Sequence, residues 1–295
     1  MEKNLNNIFN SYSIKAECIS YYNSDSYIYY DCYLKNDGKI SSISEYINEI
    51  QLKLKLPNIN IRLIPEDSII RIESFLKRKD VIYYDNIKDN TEDIIIGLNQ
   101  YSEKSGFNFN NCPHILIGGA SGSGKSVLIN TIIKNCVDKN YITYVCDLKN
   151  EHYNSKAIVL NDLYKIKYYI SSMCDLMESR YSYKDDFNRI VFIIDEYADL
   201  SMQDENNKVY KSICRLAQKS RAANINLVLA TQRPSTNFIK GEIKANFSTR
   251  IALKTASAID SRIIIDEPGA EQLFGKGDAI IKDSIGNKER FQVAI

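Results

Sequence analysis

Apolar and polar positions follow two different patterns along this chain. Residues 12–34 are rich in tyrosine and isoleucine with partial alternation, which predicts strands. Asp37-Gly38 predicts a turn. Ser42-Ile43-Ser44-Glu45 has capping-box spacing, and Ile43, Ile47, Ile50 and Leu54 follow at helical intervals until Pro57. Residues 60–64 and 68–74 read as strands around Pro65. The Asn-rich first 11 residues are expected to be a loose arm. Together these elements predict a small α+β domain.

From His114 onward the pattern changes. Short apolar-rich runs at 115–117, 141–146, 157–160, 190–194 and 225–230 read as strands. Between them lie stretches striped at helical spacing. Ile132, Ile133, Cys136 and Val137 form one stripe, and Leu163, Ile166, Ile170, Met173 and Met177 another, with Asn161-Asp162 as its cap. Val209, Ile213, Leu216 and Ala217 make a third. Such alternation predicts a mostly parallel sheet covered by helices on both faces, an α/β fold. Residues 278–295 predict two more strands around Ile285-Gly286-Asn287. The boundary is expected where Gly97, Gly106 and Pro113 cluster, giving domains 1–105 and 106–295.

Composition narrows the class. The 295 residues are 44% hydrophobic and 25% charged, which suits about two globular domains. Apolar runs are strand-sized, and the polar start Met1-Glu2-Lys3-Asn4 lacks a signal-peptide core, so a cytoplasmic protein is expected. Seven scattered cysteines form no C-x-x-C, and only His114 and His152 could join them, which argues against a zinc site and for reduced thiols. The net charge of +1 is low for a chain that grips nucleic acid by charge alone. Any DNA contact would need basic residues concentrated on a surface that assembly creates.

Chemistry enters at residues 119–126, Gly-Ala-Ser-Gly-Ser-Gly-Lys-Ser, a G-x-x-x-x-G-K-[ST] loop. An apolar strand leads in and a helix leads out. Glycines let backbone N–H groups turn toward an anion, and the helix N-terminus faces it. Gly119, Ala120, Ser121, Gly122, Ser123, Gly124, Lys125, Ser126 and Val127 are therefore expected to cradle the phosphates of ATP. Lys125 would reach the β- and γ-phosphates, and Ser126 would hold Mg²⁺.

A second signal is the apolar run 190–194 ending in Asp195-Glu196. Alone, it is equally a solvated acidic pair after a core strand. With the phosphate loop 70 residues upstream of Asp195, it reads as a Walker B strand. Asp195 would hold Mg²⁺ and Glu196 would polarise the attacking water. Gln232, after the strand at 225–230, is the first candidate to sense the γ-phosphate, and Thr231 the second. Arg215, Lys219, Arg221, Arg233, Lys240, Lys244, Arg250, Lys254 and Arg262 are basic. Most such residues form a solvated face. A ring ATPase also needs one arginine presented to the neighbouring site, and Arg250 and Arg262 are the candidates. His114 is expected to pack or hydrogen-bond, and His152 to lie exposed in a loop.

Longer stretches resemble the FtsK/SpoIIIE family of DNA translocases. They include Pro113-His114-Ile115-Leu116-Ile117-Gly118-Gly119, Val145-Cys146-Asp147-Leu148-Lys149 (leucine where the family has Asp-Pro-Lys), Met177-Glu178-Ser179-Arg180-Tyr181 and Asp195-Glu196-Tyr197-Ala198-Asp199-Leu200. Residues 215–223, Thr231-Gln232-Arg233-Pro234, segments at 243–252 and 259–262, and Gly269-Ala270-Glu271-Gln272-Leu273 extend it. The resemblance implies a RecA-like P-loop ATPase that binds Mg-ATP between subunits of a hexameric ring around double-stranded DNA, with a loading or recruitment partner. Three departures shape the expectation: no room after Ile295 for an orientation-reading winged-helix module, no N-terminal membrane anchor, and a short 181–189 stretch with a reduced pore loop. They point away from septal chromosome pumping and toward a compact motor of a plasmid, phage or integrative element. Two rivals stay open: a type VII secretion-like protein translocase, and a non-hydrolysing scaffold, against which Glu196 argues.

Overall fold

Leu5, Ile8 and Phe9 recur at helical spacing, and that stripe folds the chain's beginning. In the computed structural model, which describes residues 2–151, 153, 156–182, 187–204 and 206–295, helix α1 (Glu2–Ser11) buries all three. The expected loose arm is thus a docked helix: Asn4, Asn7 and Asn10 are exposed, Asn6 bonds the Cys18 backbone, and the apolar stripe enters a core with Ile43, Ile50, Ile70 and Ile72. His152 and residues 183–186 of the expected pore-loop stretch lie outside the described residues.

The chain divides into two compact units between Asp80 and Val81. After α1 the first unit contains β1 (Ala16–Asn23), β2 (Tyr27–Leu34), α2 (Ile40–Glu45), α3 (Ile47–Leu54), β3 (Asn60–Ile64) and β4 (Ile69–Phe75). Its sheet runs β1-β2-β4-β3, all antiparallel. The capping box does not form. Helix α2 already starts at Ile40, and Lys39 precedes it without a side-chain cap. Burial of Ile43 sets the helix phase a turn earlier, so Ser42 and Glu45 lie inside the helix. Lys55 takes a left-handed conformation at the end of α3, two residues before Pro57.

The second unit comprises α4 (Tyr84–Ile87), β5 (Ile94–Asn99), β6 (Lys104–Phe107), β7 (His114–Gly118), α5 (Lys125–Asp138), β8 (Ile142–Cys146), β9 (Ile158–Leu160), α6 (Leu163–Ser182), β10 (Ile190–Ile194), α7 (Tyr197–Met202), α8 (Lys208–Lys219), β11 (Ile225–Thr231), α9 (Gly241–Asn246), β12 (Thr249–Leu253), α10 (Ala258–Ile265), β13 (Asp278–Lys282) and β14 (Lys288–Val293). One ten-stranded sheet runs β6-β5-β14-β13-β12-β7-β11-β10-β8-β9. The stretch from β12 to β9 is parallel, and the remaining pairings are antiparallel.

Continuous apolar strands follow from burial on both faces. Val191 and Ile193 join one core with Leu128, Ile129, Ile132 and Ile133 of α5. Ile190, Phe192 and Ile194 join the other with residues of α6 and α8. Each such side chain contributes about 1.5–3 kcal/mol when buried. Asp162 accepts the Lys165 N–H at 2.9 Å and caps α6 as expected.

The units divide well before the expected 105/106 boundary. β5 pairs with β14 and β6 with β5, so these residues extend the large sheet. The Asn135 side chain of α5 ties this edge down, accepting the Ile95 N–H at 2.9 Å and donating to the Ile95 carbonyl at 2.8 Å. No described helix is long and apolar enough to cross a membrane.

Candidate active site

Parallel pairing brings the chemistry to one sheet edge. Gly118 of β7 lies opposite Thr231 of β11, and Ile194 of β10 lies opposite Cys146 of β8. The loop at 119–124, Asp195-Glu196, Thr231-Gln232 and Asp147 therefore all leave the carboxyl ends of adjacent strands, where open α/β sheets bind ligands.

The loop's shape requires glycine. Gly124 has φ +106°, and a Cβ there would lie 2.5 Å from the Gly277 nitrogen. Three backbone bonds fasten the loop: Gly119 N–H to the Thr231 carbonyl (3.2 Å), Ala120 N–H to the Lys254 carbonyl (2.8 Å), and Gly277 N–H to the Ser123 carbonyl (2.7 Å). Helix α5 begins at Lys125, so its first-turn N–H groups and its dipole face the loop. Val127 follows on the first turn and is exposed.

Lys125 is paired internally. Its Nζ donates to the Asp195 carboxylate and, at 2.9 Å, to the Asp195 carbonyl, and both side chains are 2% exposed. Asp195 Oδ2 is buried with no hydrogen-bond partner among the described residues, as is Ser123 Oγ. The Ser126 hydroxyl donates to Glu151. An orphaned carboxylate oxygen beside a hydroxyl and an ammonium is a donor set that fits a hard divalent cation with phosphate. The nearby Tyr153 hydroxyl is held protonated, first by burial and then by the Asp195 charge.

Glu196 is also fully engaged. Oε1 accepts from Thr231 Oγ1 at 2.7 Å, and Oε2 accepts from the Gln232 N–H at 3.0 Å and from Lys149 Nζ at 3.1 Å. Gln232 thus meets Glu196 through its backbone, and of the two sensor candidates it is Thr231 whose side chain bonds Glu196. Lys149 and Glu151 were not among the expected site residues. The signal for Lys149 was the Asp147-Leu148-Lys149 segment after β8, legible only as part of a resemblance, and Glu151 lies beyond it. Burial raises the Asp147 pKa despite the N–H bonds its carboxylate receives from Lys149 and Glu151.

The two candidate arginines differ. Arg250 is bound within its own chain: Nε donates to the Phe247 carbonyl at 2.9 Å, Nη2 to the Lys244 carbonyl at 2.8 Å, and Nη1 to Asp266. Arg262 is exposed on α10, with no ion pair among the described residues. Several other basic residues are also occupied: Arg215 by Glu178, Lys244 by Asp266, and Arg221 by the Asn110 carbonyl. His114 is buried, accepts the Leu227 N–H at 3.1 Å through Nδ1, and packs against Phe247. It is structural, as expected.

Solved structures with similar architecture set the class. The conjugation coupling protein TcpA of pCW3, solved with ATPγS, superposes with a TM-score of 0.71 at 22% identity, over 99% of this chain and 94% of that one. The type VII secretion ATPase EccC of Thermomonospora curvata gives 0.57 at 20% identity, over 70% of this chain and 29% of that one. With the phosphate loop and Asp195-Glu196 at the sheet edge, the fold is that of a P-loop ATPase.

The sequence profile of the FtsK/SpoIIIE family matches residues 86–141 and 144–236, and the chain belongs to that family. The DNA translocase SpoIIIE of Bacillus subtilis is 32% identical over 97% of this chain and 42% of its own length. FtsK of Borreliella burgdorferi is 35% identical over 84% of this chain and 36% of its own. The chain spans less than half the length of these relatives.

Proposed function

We propose that this chain is the motor part of an ATP-driven double-stranded DNA translocase. The observation that carries the chemistry is the convergence of the Gly119–Ser126 loop, Asp195 and Glu196 on one sheet edge. Family membership and the relatives named as DNA translocases support the substrate.

The 119–127 backbone and Lys125 would bind the phosphates of ATP, while Ser126 and Asp195 would hold Mg²⁺. Mg²⁺ held there would offset charge on the transferred phosphoryl group. Glu196 takes the role of water-activating carboxylate, and Thr231 with the Gln232 backbone holds it at the end of β11. Arg262 is the better arginine for a neighbouring site, because Arg250 is already bound to three acceptors of its own chain. The reading includes a cytoplasmic homo-oligomeric ring, hexameric as the family resemblance implies, and a loading partner. DNA transfer by a mobile element is the process we infer, in line with the whole-length fold match to a conjugation coupling protein. Protein translocation is the second reading, and its support is the fold shared with EccC.

Glu196→Gln tests the chemistry. The variant should keep nucleotide binding and lose turnover by about 10²–10⁴-fold, the usual contribution of a positioned base. Turnover equal to wild type would remove Glu196 from the mechanism.

A further inference from the structure

The turn after β8 touches both halves of the phosphate site. Asp147 fixes its shape: one carboxylate oxygen accepts the Lys149 N–H at 3.1 Å, the other the Glu151 N–H at 2.8 Å. Between them Asn150 has φ +56°, a left-handed conformation that asparagine tolerates. This reversal sends the two flanking side chains to different targets. Lys149 Nζ sits 3.1 Å from Glu196 Oε2, and Glu151 accepts the Ser126 hydroxyl. Glu196 is 4% exposed, and both its oxygens accept from protein donors. A general base needs a lone pair directed at water, so the Lys149 contact, added to the two that position Glu196, opposes that role.

Resting on the reading of this edge as an Mg-ATP site, we propose that residues 147–151 form a latch between Ser126 and Glu196. Glu151 holds the Ser126 side chain by its hydroxyl proton; a divalent cation would take the hydroxyl oxygen through its lone pairs and draw it away from Glu151, and Lys149 withholds Glu196 from water until then. Asp147 makes the two events one, because it grips the N–H of both residues and a displacement of Glu151 is passed to Lys149 two positions away. Both are positioning residues that act through Ser126 and Glu196. The arrangement would link cleavage to complete loading: nucleotide alone would leave Glu151 on Ser126, and its release would require the cation as well.

Binding of a fluorescent N-methylanthraniloyl ADP, titrated with Mg²⁺, tests the latch. It is run on the whole chain as wild type, Glu151→Gln, Lys149→Met and Lys149→Arg, with thermal melting to verify folding. Glu151→Gln should lower the half-saturating Mg²⁺ by about tenfold, the weight of one hydrogen bond to a charged group. Lys149→Met should leave KM unchanged and raise the kcat measured without DNA, and Lys149→Arg should restore the wild-type value. A higher Mg²⁺ requirement in Glu151→Gln would make Glu151 part of the cation's own shell and overturn the latch. A lower kcat in Lys149→Met would make Lys149 a helper of Glu196 and overturn it as well. If wild type binds the nucleotide but Glu151→Gln leaves its Mg²⁺ dependence unmoved, the latch alone falls. If wild type binds no nucleotide, the reading of the site falls with it.

Discussion

Lys125 and Asp195 carry opposite charges in a setting where neither meets water. Removing one partner of such a pair leaves a buried charge uncompensated, which costs about 3–5 kcal/mol. Lys125→Ala should therefore lose stability as well as nucleotide binding. Urea unfolding checks this: the single variant should show a lower midpoint, and Lys125→Met with Asp195→Asn should recover most of it. Equal midpoints for wild type and Lys125→Ala would show that the pair does not persist in solution. His114 gives a pH prediction. Burial pushes its pKa from 6.5 down to about 4, so the unfolded chain binds a proton that the folded chain refuses in this window. Stability is then complete above pH 6.5 and declines as pH falls toward 4, by about 3 kcal/mol in total. His114→Gln should flatten that decline, and unfolding midpoints at pH 7 and 4.5 would show it. The loop and the acidic pair were legible because their spacing is dictated by phosphate and metal chemistry. The roles of Lys149 and Glu151 were not, because the contacts that define them join residues 25 and 47 positions apart.

At the scale of elements, strands were easier to read than edges. The 190–194 run is apolar on both faces because helices cover both, and 225–230 is apolar but for Asn226. β6 escaped notice as a four-residue edge strand of mixed residues, and β5 because its partner β14 lies nearly 200 residues away. The first helix escaped because its asparagines dominate the composition, although Leu5, Ile8 and Phe9 have the spacing of a buried stripe. Phe9 is fully buried, so Phe9→Ala should destabilise the first unit by about 3–5 kcal/mol. Limited proteolysis of residues 1–80 against urea would report this. Indifference to the substitution would restore the loose-arm reading.

For the whole molecule, a net charge of +1 is the constraint that shapes the account. Arg215, Arg250 and Lys244 are spent on internal ion pairs, so a single chain presents less basic surface than its composition suggests. A DNA track built by a ring would sum contributions from several copies, and phosphate contacts of that kind weaken steeply with salt. The most direct measurement is steady-state ATP hydrolysis by the purified chain, with and without long linear double-stranded DNA, at two salt concentrations. A DNA motor should show strong stimulation by DNA that fades as salt rises. Hydrolysis indifferent to DNA at both concentrations would contradict a DNA motor and turn the assignment toward a protein substrate.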